Sequence, residues 1–149
     1  MRLWSNGPDE TLAHGRRLGA LLKAGSTVCL FGELGSGKTV FVKGLASALG
    51  IPERDITSAS FTIIAEYVGR LGGSPVPFYH IDLYRVMNAG ELDSIGVEEY
   101  IGTEGVSVIE WADRMAEIED CIAVRFSMLD GEKREITIEG LNEEDWNNL

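Results

Sequence analysis

The segment Gly32-Glu33-Leu34-Gly35-Ser36-Gly37-Lys38-Thr39 fits G-x-x-x-x-G-K-[ST], and each fixed position answers to a polyphosphate. The glycines let the backbone curl and aim successive N–H groups at phosphate oxygens. Lys38 brings a compact positive charge to the β- and γ-phosphates. Thr39 offers a hydroxyl to Mg²⁺ at a helix start, where free N–H groups and the helix dipole also favour an anion. The flanks meet the demands of this loop. Thr27-Val28-Cys29-Leu30-Phe31 is a continuous β-prone run suited to a strand buried on both faces. Phe41, Gly44, Leu45, Ala48 and Leu49 then recur at helical spacing, with Gly50 as the stop and Pro52 beyond it. Strand, loop and helix in this order predict an α/β protein that binds a nucleoside triphosphate.

At 149 residues with 44% hydrophobic content, the chain (1–149) reads as one domain with one core. No apolar run approaches the roughly 20 residues of a membrane span, and Met1 to Asn6 lacks the apolar stretch of a signal peptide. The two cysteines, Cys29 and Cys121, fall in apolar runs and read as core thiols of a cytoplasmic protein. Net charge is −11, from 24 acidic against 13 basic side chains, and one of the four lysines is Lys38. That balance opposes tight, unaided binding to nucleic acid, which rests on Lys and Arg neutralising phosphates, and suits a chain that meets other proteins.

Pro8-Asp9-Glu10 opens a first helix, with Leu18, Leu21 and Leu22 on its apolar face; its first residues are candidates for the surroundings of the base. Asp55 to Phe61 is a hydroxyl-rich loop that fits two roles: capping a turn, or sensing a γ-phosphate through Mg²⁺. Thr62–Val68 and Val76–Ile81 are strand-like runs, and the intervening 69–75 is rich in turn residues, so a hairpin is expected. The second run leads to Asp82, and Val106 to Trp111 forms another strand, which reaches Glu110. If both strands run parallel to the phosphate-loop strand, the two carboxylates share the edge of the sheet where ligands bind in open α/β folds. Asn88 caps a short helix, Val97 to Ile101 reads as another, and Cys121–Met128 and Arg134–Glu139 form a hairpin around Asp130-Gly131. A last helical turn from Asn142 is anchored by Trp146.

The phosphate loop, then Ser58-Ala59-Ser60-Phe61-Thr62, then His80-Ile81-Asp82-Leu83-Tyr84-Arg85, then Ile109-Glu110-Trp111 together resemble the bacterial TsaE (YjeE) proteins. These are the small ATPases of the tRNA threonylcarbamoyladenosine modification system. The resemblance runs in order from about Asp9 to Arg114, and the His-x-Asp-Leu-Tyr-Arg and Glu-Trp segments discriminate far better than the loop. It implies a three-layer P-loop core with a mixed parallel and antiparallel sheet, binding of Mg²⁺ and ATP, and slow hydrolysis. It implies protein partners that modify the adenosine beside the tRNA anticodon, with tRNA met only through them. Gly35, Ser36, Gly37, Lys38 and Thr39 would hold the phosphates, Thr39 and Glu110 would ligate Mg²⁺, and Asp82 and Glu110 are the candidate catalytic acids. Where the family has Ser-Pro-Thr, this chain has Ser58-Ala59-Ser60. Ser60 keeps the hydroxyl and is a further candidate nucleotide contact. Where the family has Glu-Trp-Pro-Glu, this chain has Glu110-Trp111-Ala112-Asp113.

Two other classes use the same loop: a small-molecule kinase, and a nucleotide-dependent binding module without useful catalysis. The kinase would carry an arginine-bearing lid. The only adjacent arginines are Arg16 and Arg17 on the first helix, while Arg85 and Arg114 lie three and four residues past the two acids.

Overall fold

Four neighbouring parallel strands form the middle of a mixed sheet, and the phosphate loop leaves one of the inner two. The computed structural model describes residues 1–58 and 62–149. In chain order the elements are β1 (Arg2–Ser5), α1 (Pro8–Gly19), β2 (Thr27–Phe31), α2 (Lys38–Ala48), β3 (Ile64–Leu71), β4 (Ser74–Asp82), α3 (Ala89–Ile95), β5 (Val106–Glu110), β6 (Ile122–Met128), β7 (Arg134–Glu139) and α4 (Glu143–Asn147). Single 3-10 turns fall at Glu53–Asp55, Val97–Tyr100 and Ala112–Arg114. The sheet order is β1-β7-β6-β2-β5-β4-β3. β6, β2, β5 and β4 are mutually parallel, while β3, β7 and β1 join antiparallel at the two sides. This is the expected α/β architecture with a mixed sheet.

Strand alternation sorts the core into two faces. Val28, Leu30, Val108 and Phe78 point to the face covered by α1 and α2, where Phe41 meets Phe126 edge to face at 5.4 Å. Cys29, Ile81 and Ile109 point to the other face, which α3 and the 3-10 turns cover through Val97, Ala112, Leu92 and Ile95. Burial, with Cys121 beside it, pushes the Cys29 thiol up to about 12, so it sits in the core as a neutral thiol. Among the described residues, no helix is long and apolar enough to cross a membrane.

Two boundaries differ from expectation. The β3–β4 strands run to Leu71 and from Ser74, so the turn shrinks from 69–75 to Gly72-Gly73. Two successive glycines at positive φ close a two-residue turn whose twist matches the strands, so pairing continues up to it. β1 has no counterpart among the expected elements. Its four residues alternate weakly, and it is held by pairing with β7 rather than by its own pattern.

α1 and α2 touch backbone to backbone, which fixes the start of α2 under the loop. A Cβ on Gly44 would stand 2.0 Å from the Leu12 carbonyl oxygen, and one on Gly15 would stand 2.1 Å from that of Phe41. Neither backbone can yield without separating the helices. Gly44→Ala is therefore expected to cost about 1–3 kcal/mol of stability by overpacking, even though alanine is the better helix former. Urea unfolding checks it; a midpoint equal to or above wild type would show that the helices can part freely.

Candidate functional site

Register decides what meets at the end of the sheet. Asp82 pairs with Glu110, and Glu110 with Leu30, the penultimate residue of β2. His80, two residues before Asp82 on β4, faces the same side. All three polar side chains thus lie on the α2 face, directly below the N-terminus of that helix, and all are buried.

Glu110 is the hub. Thr39 Oγ1 donates to its Oε1 and Oε2 at 3.1 and 3.3 Å, and His80 Nε2 donates to Oε2 at 2.5 Å. Asp82 Oδ1 accepts the Tyr84 N–H at 3.0 Å. Burial pushes the Asp82 carboxyl above the ordinary Asp value, and the Glu110 charge adds to this. The Tyr84 N–H, His80 and Lys38 act the other way.

Lys38 is 5% exposed. Its Nζ donates to the loop's own carbonyls, Gly32 O at 2.5 Å and Glu33 O at 2.9 Å, and lies 4.2 Å from the centre of the Trp111 ring. Burial lowers its pKa, and the carboxylates of Glu110, Asp82, Asp113 and Glu33 oppose that. Trp111 is held in the left-handed region at φ 59°, and so is Ile63 at φ 65°, whose carbonyl accepts the Asp82 N–H. For a bulky or β-branched side chain this conformation stores strain of about 1–3 kcal/mol. In Trp111 it turns the ring back over Lys38 at the end of β5. Tyr84 packs on the same ring at 5.0 Å, and the Arg114 guanidinium lies 5.7 Å from it.

Two cavities flank the loop. One of 310 Å³ is lined by Gly35, Lys38, Thr39, Ser58, Asp82 and Glu110 among others. A second, of 130 Å³, lies where Gly7, Pro8 and Thr11 at the start of α1 meet Gly35 to Gly37 and Val40, and Glu132 and Arg134 line it too. Larger cavities on the opposite sheet face, of 550 and 520 Å³, contain no loop residue. The structure therefore brings Gly35, Ser36, Gly37, Lys38, Thr39, Asp82 and Glu110 together. Ser60 lies outside the described residues.

The sequence alone assigns no role at this site to His80 or Arg134. His80 stands at i−2 from Asp82 on a strand, so period-two alternation places it on the same face. Arg134 donates from Nε to Ser36 O and from Nη2 to Gly35 O, both at 3.2 Å. Nothing in the sequence near Arg134 marks this long-range contact.

The chemistry on offer is hard-oxygen and anionic. A carboxylate and a hydroxyl converge at Glu110 and Thr39, and no set of three His, Cys, Asp or Glu among the described residues forms an all-protein cage. That donor set fits Mg²⁺, which typically takes one or two protein oxygens and completes its shell with phosphates and water.

Comparison with known proteins agrees with the residue pattern. A family model described as "Threonylcarbamoyl adenosine biosynthesis protein TsaE" matches residues 5–136. A Treponema pallidum protein named "tRNA threonylcarbamoyladenosine biosynthesis protein TsaE" is 42% identical over 140 residues, covering 93% of this chain and 99% of that one. A Streptomyces coelicolor protein of the same name is 37% identical over 136 residues, covering 87% and 89%. The crystal structure of Bacillus subtilis YdiB superposes with a TM-score of 0.71 at 32% identity, covering 97% of this chain and 87% of that one.

The Asp82 geometry gives a stability signature. Its folded carboxyl keeps a proton at a pH where the unfolded one, near 3.8, has lost it. Just above 3.8 the folded state thus binds more protons, and its stability falls as pH rises through that window. Asp82→Asn, which keeps the acceptor but cannot ionise, is expected to melt higher than wild type at pH 7 without nucleotide or metal. The gap should close as pH falls to 3.8 and below. Calorimetric melting across pH checks this, and a lower-melting variant at pH 7 would reverse the assignment.

Proposed function

This chain belongs to the TsaE family, and we propose that it is a P-loop ATPase, working with protein partners in threonylcarbamoyladenosine modification of tRNA. The single observation that carries the ATPase reading is the convergence of Lys38, Thr39, Glu110 and Asp82 on one 310 Å³ cavity at the mouth of a phosphate loop. Family membership supports the pathway.

In this reading the loop and the N-terminus of α2 take the phosphates. Lys38 exchanges the Gly32 and Glu33 carbonyls for phosphate oxygens, a swap between acceptors that leaves it buried and paired. Thr39 and Glu110 would hold Mg²⁺, which when bound would neutralise developing phosphoryl charge. His80 fixes the Glu110 carboxylate in rotation, so that an oxygen faces Thr39. Asp82 spends Oδ1 on the Tyr84 N–H, leaving Oδ2 to orient a water and accept its proton. The nucleoside end lies at the smaller cavity, against Gly7, Pro8 and Thr11. Trp111 and Tyr84 close the phosphate end from the other side.

Catalysis of this kind is slow without a cation at the transferred phosphoryl, and a supplied arginine gains about 10³–10⁵ in rate. A partner protein can supply that arginine, whereas bare tRNA carries no such cation and its phosphates are repelled by a chain of net charge −11. Slow phosphate release by the isolated chain, stimulated by the protein partners of the modification complex and little by tRNA alone, is the expected outcome of a multiple-turnover assay at physiological salt. Transfer of phosphate to a small hydroxyl compound would favour the kinase reading, and tight nucleotide binding without turnover under any condition the binding-module reading. Lys38→Ala should sharply weaken calorimetric Mg–ATP binding with the fold retained. Glu110→Gln and Asp82→Asn should lower turnover more than binding. Undiminished affinity and turnover in Lys38→Ala would exclude the loop as the nucleotide site.

A further inference from the structure

Lys38 Nζ holds the carbonyls of Gly32 and Glu33, in the first half of the loop. The guanidinium of Arg134, from the first residue of β7, holds those of Gly35 and Ser36, in the second half. Arg134 is itself braced, since its Nη1 donates to Gly131 O and Lys133 O at 2.9 Å each, within its own hairpin turn. Four loop carbonyls are thus tied to two cations.

The two ties differ in what happens when an anion arrives. Lys38 has to turn towards the phosphates, and its hold on the first half is released. Arg134 bonds the loop on its carbonyl side, while its side chain also borders the 130 Å³ cavity, so an anion met by the loop's N–H groups need not displace it. Gly35 at φ 80° and Gly37 at φ 104° also need an outside restraint, because residues without Cβ leave the neighbouring peptide planes free to rotate. In a trans peptide the C=O and the next N–H point opposite ways. Fixing Ser36 O towards Arg134 therefore fixes the Gly37 N–H towards the hollow of the loop. Fixing Gly35 O likewise orients the Ser36 N–H, which closes the turn onto Glu33 O at 3.1 Å.

We propose that Arg134 is a positioning residue of the phosphate site: its forked guanidinium presets the Gly35–Ser36 and Ser36–Gly37 peptide planes so that the loop meets a polyphosphate already arranged. The inference rests on the reading of this loop as the phosphate site. It assigns a binding role to the β6–β7 hairpin, which lies almost 100 residues along the chain from the loop. The fork matters because a lysine brings equal charge as a single point and cannot hold two carbonyls in fixed directions.

The test uses the full chain, magnesium pyrophosphate as a probe of the loop alone, and Mg–ATP as a probe of loop plus nucleoside. Arg134→Gln and Arg134→Lys are compared with wild type by calorimetric titration, with nucleotide-free melting recorded for each. Both variants should bind both probes about 10- to 100-fold more weakly, the worth of hydrogen bonds from a charged donor. Their nucleotide-free melting should stay close to wild type. The wild-type Gly37 amide resonance should shift on adding pyrophosphate, and that shift should shrink in both variants. Wild-type pyrophosphate affinity in Arg134→Gln overturns the proposal, and if only Mg–ATP weakens, Arg134 contacts the nucleoside instead. Wild-type affinity in Arg134→Lys reduces the effect to charge and overturns the fork. Should Arg134→Gln fail to fold, Arg134→Lys decides alone. A wild-type chain that binds neither probe overturns the loop reading and this inference with it. Binding by wild type with no loss in the variants overturns this inference only.

Discussion

A carboxylate that is 2% exposed sits at the centre of this site, and the rest of the arrangement follows from keeping it there. Taking the Glu110 charge out of water costs several kcal/mol unless donors replace the lost solvent. His80 and Thr39 are those donors, and each imposes a structural demand. His80 reaches Glu110 only if β4 runs parallel to β5 with Asp82 opposite Glu110. Thr39 reaches it only if α2 begins directly above the end of β5. That in turn needs α1 and α2 to pack as closely as Gly15 and Gly44 allow. One buried charge thereby couples sheet register, helix packing and the exit of the loop.

Lys38 poses the same problem with opposite sign. An ammonium so fully enclosed needs acceptors, and the loop supplies them from its own backbone, with the face of Trp111 above. Trp111 reaches that position through a left-handed backbone that tryptophan seldom adopts. The parallel strand, by contrast, would send the chain straight on from Glu110. Strain at Trp111 and Ile63 is concentrated where β5 ends and β3 begins, the two places from which the chain borders the acids. The buried charges of the site and the left-handed backbone of these two bulky residues fall at one end of the sheet, whereas Asp120, at φ 57° before β6, is a short polar residue that tolerates that conformation more readily.

Much of this was legible in the sequence because the relevant signals are local. The apolar run of β2, the helical spacing after Lys38, and acids closing two strands each state their own role. The sum of those roles fixes one edge of one sheet. What was not legible depends on partners distant in the chain. β1 exists because β7 offers an edge, and its four residues would not form a strand alone. The strained turn at Trp111 has no Gly or Asn to announce it. Arg134 opens a strand like many surface arginines, and only the placement of β7 two strands from β2 turns it towards the loop. His80 is the intermediate case, since alternation along β4 predicts its face but not that its partner is Glu110 rather than Asp82.

The balance of charge explains why the loop is restrained from behind. Around the 310 Å³ cavity stand two buried acids and one lysine, within a chain of net charge −11, so the surroundings of the loop repel an anion as much as they attract it. Attraction must then come from groups that do not depend on net charge: oriented N–H dipoles, whose value falls off steeply with misdirection. A loop rich in glycine can form such a nest but cannot by itself choose it over other arrangements of the same peptides. An arginine fixed to the carbonyl side makes that choice in advance and adds a positive charge on the same side of the balance. The more acidic the site, the more its function rests on geometry held in place before the ligand arrives.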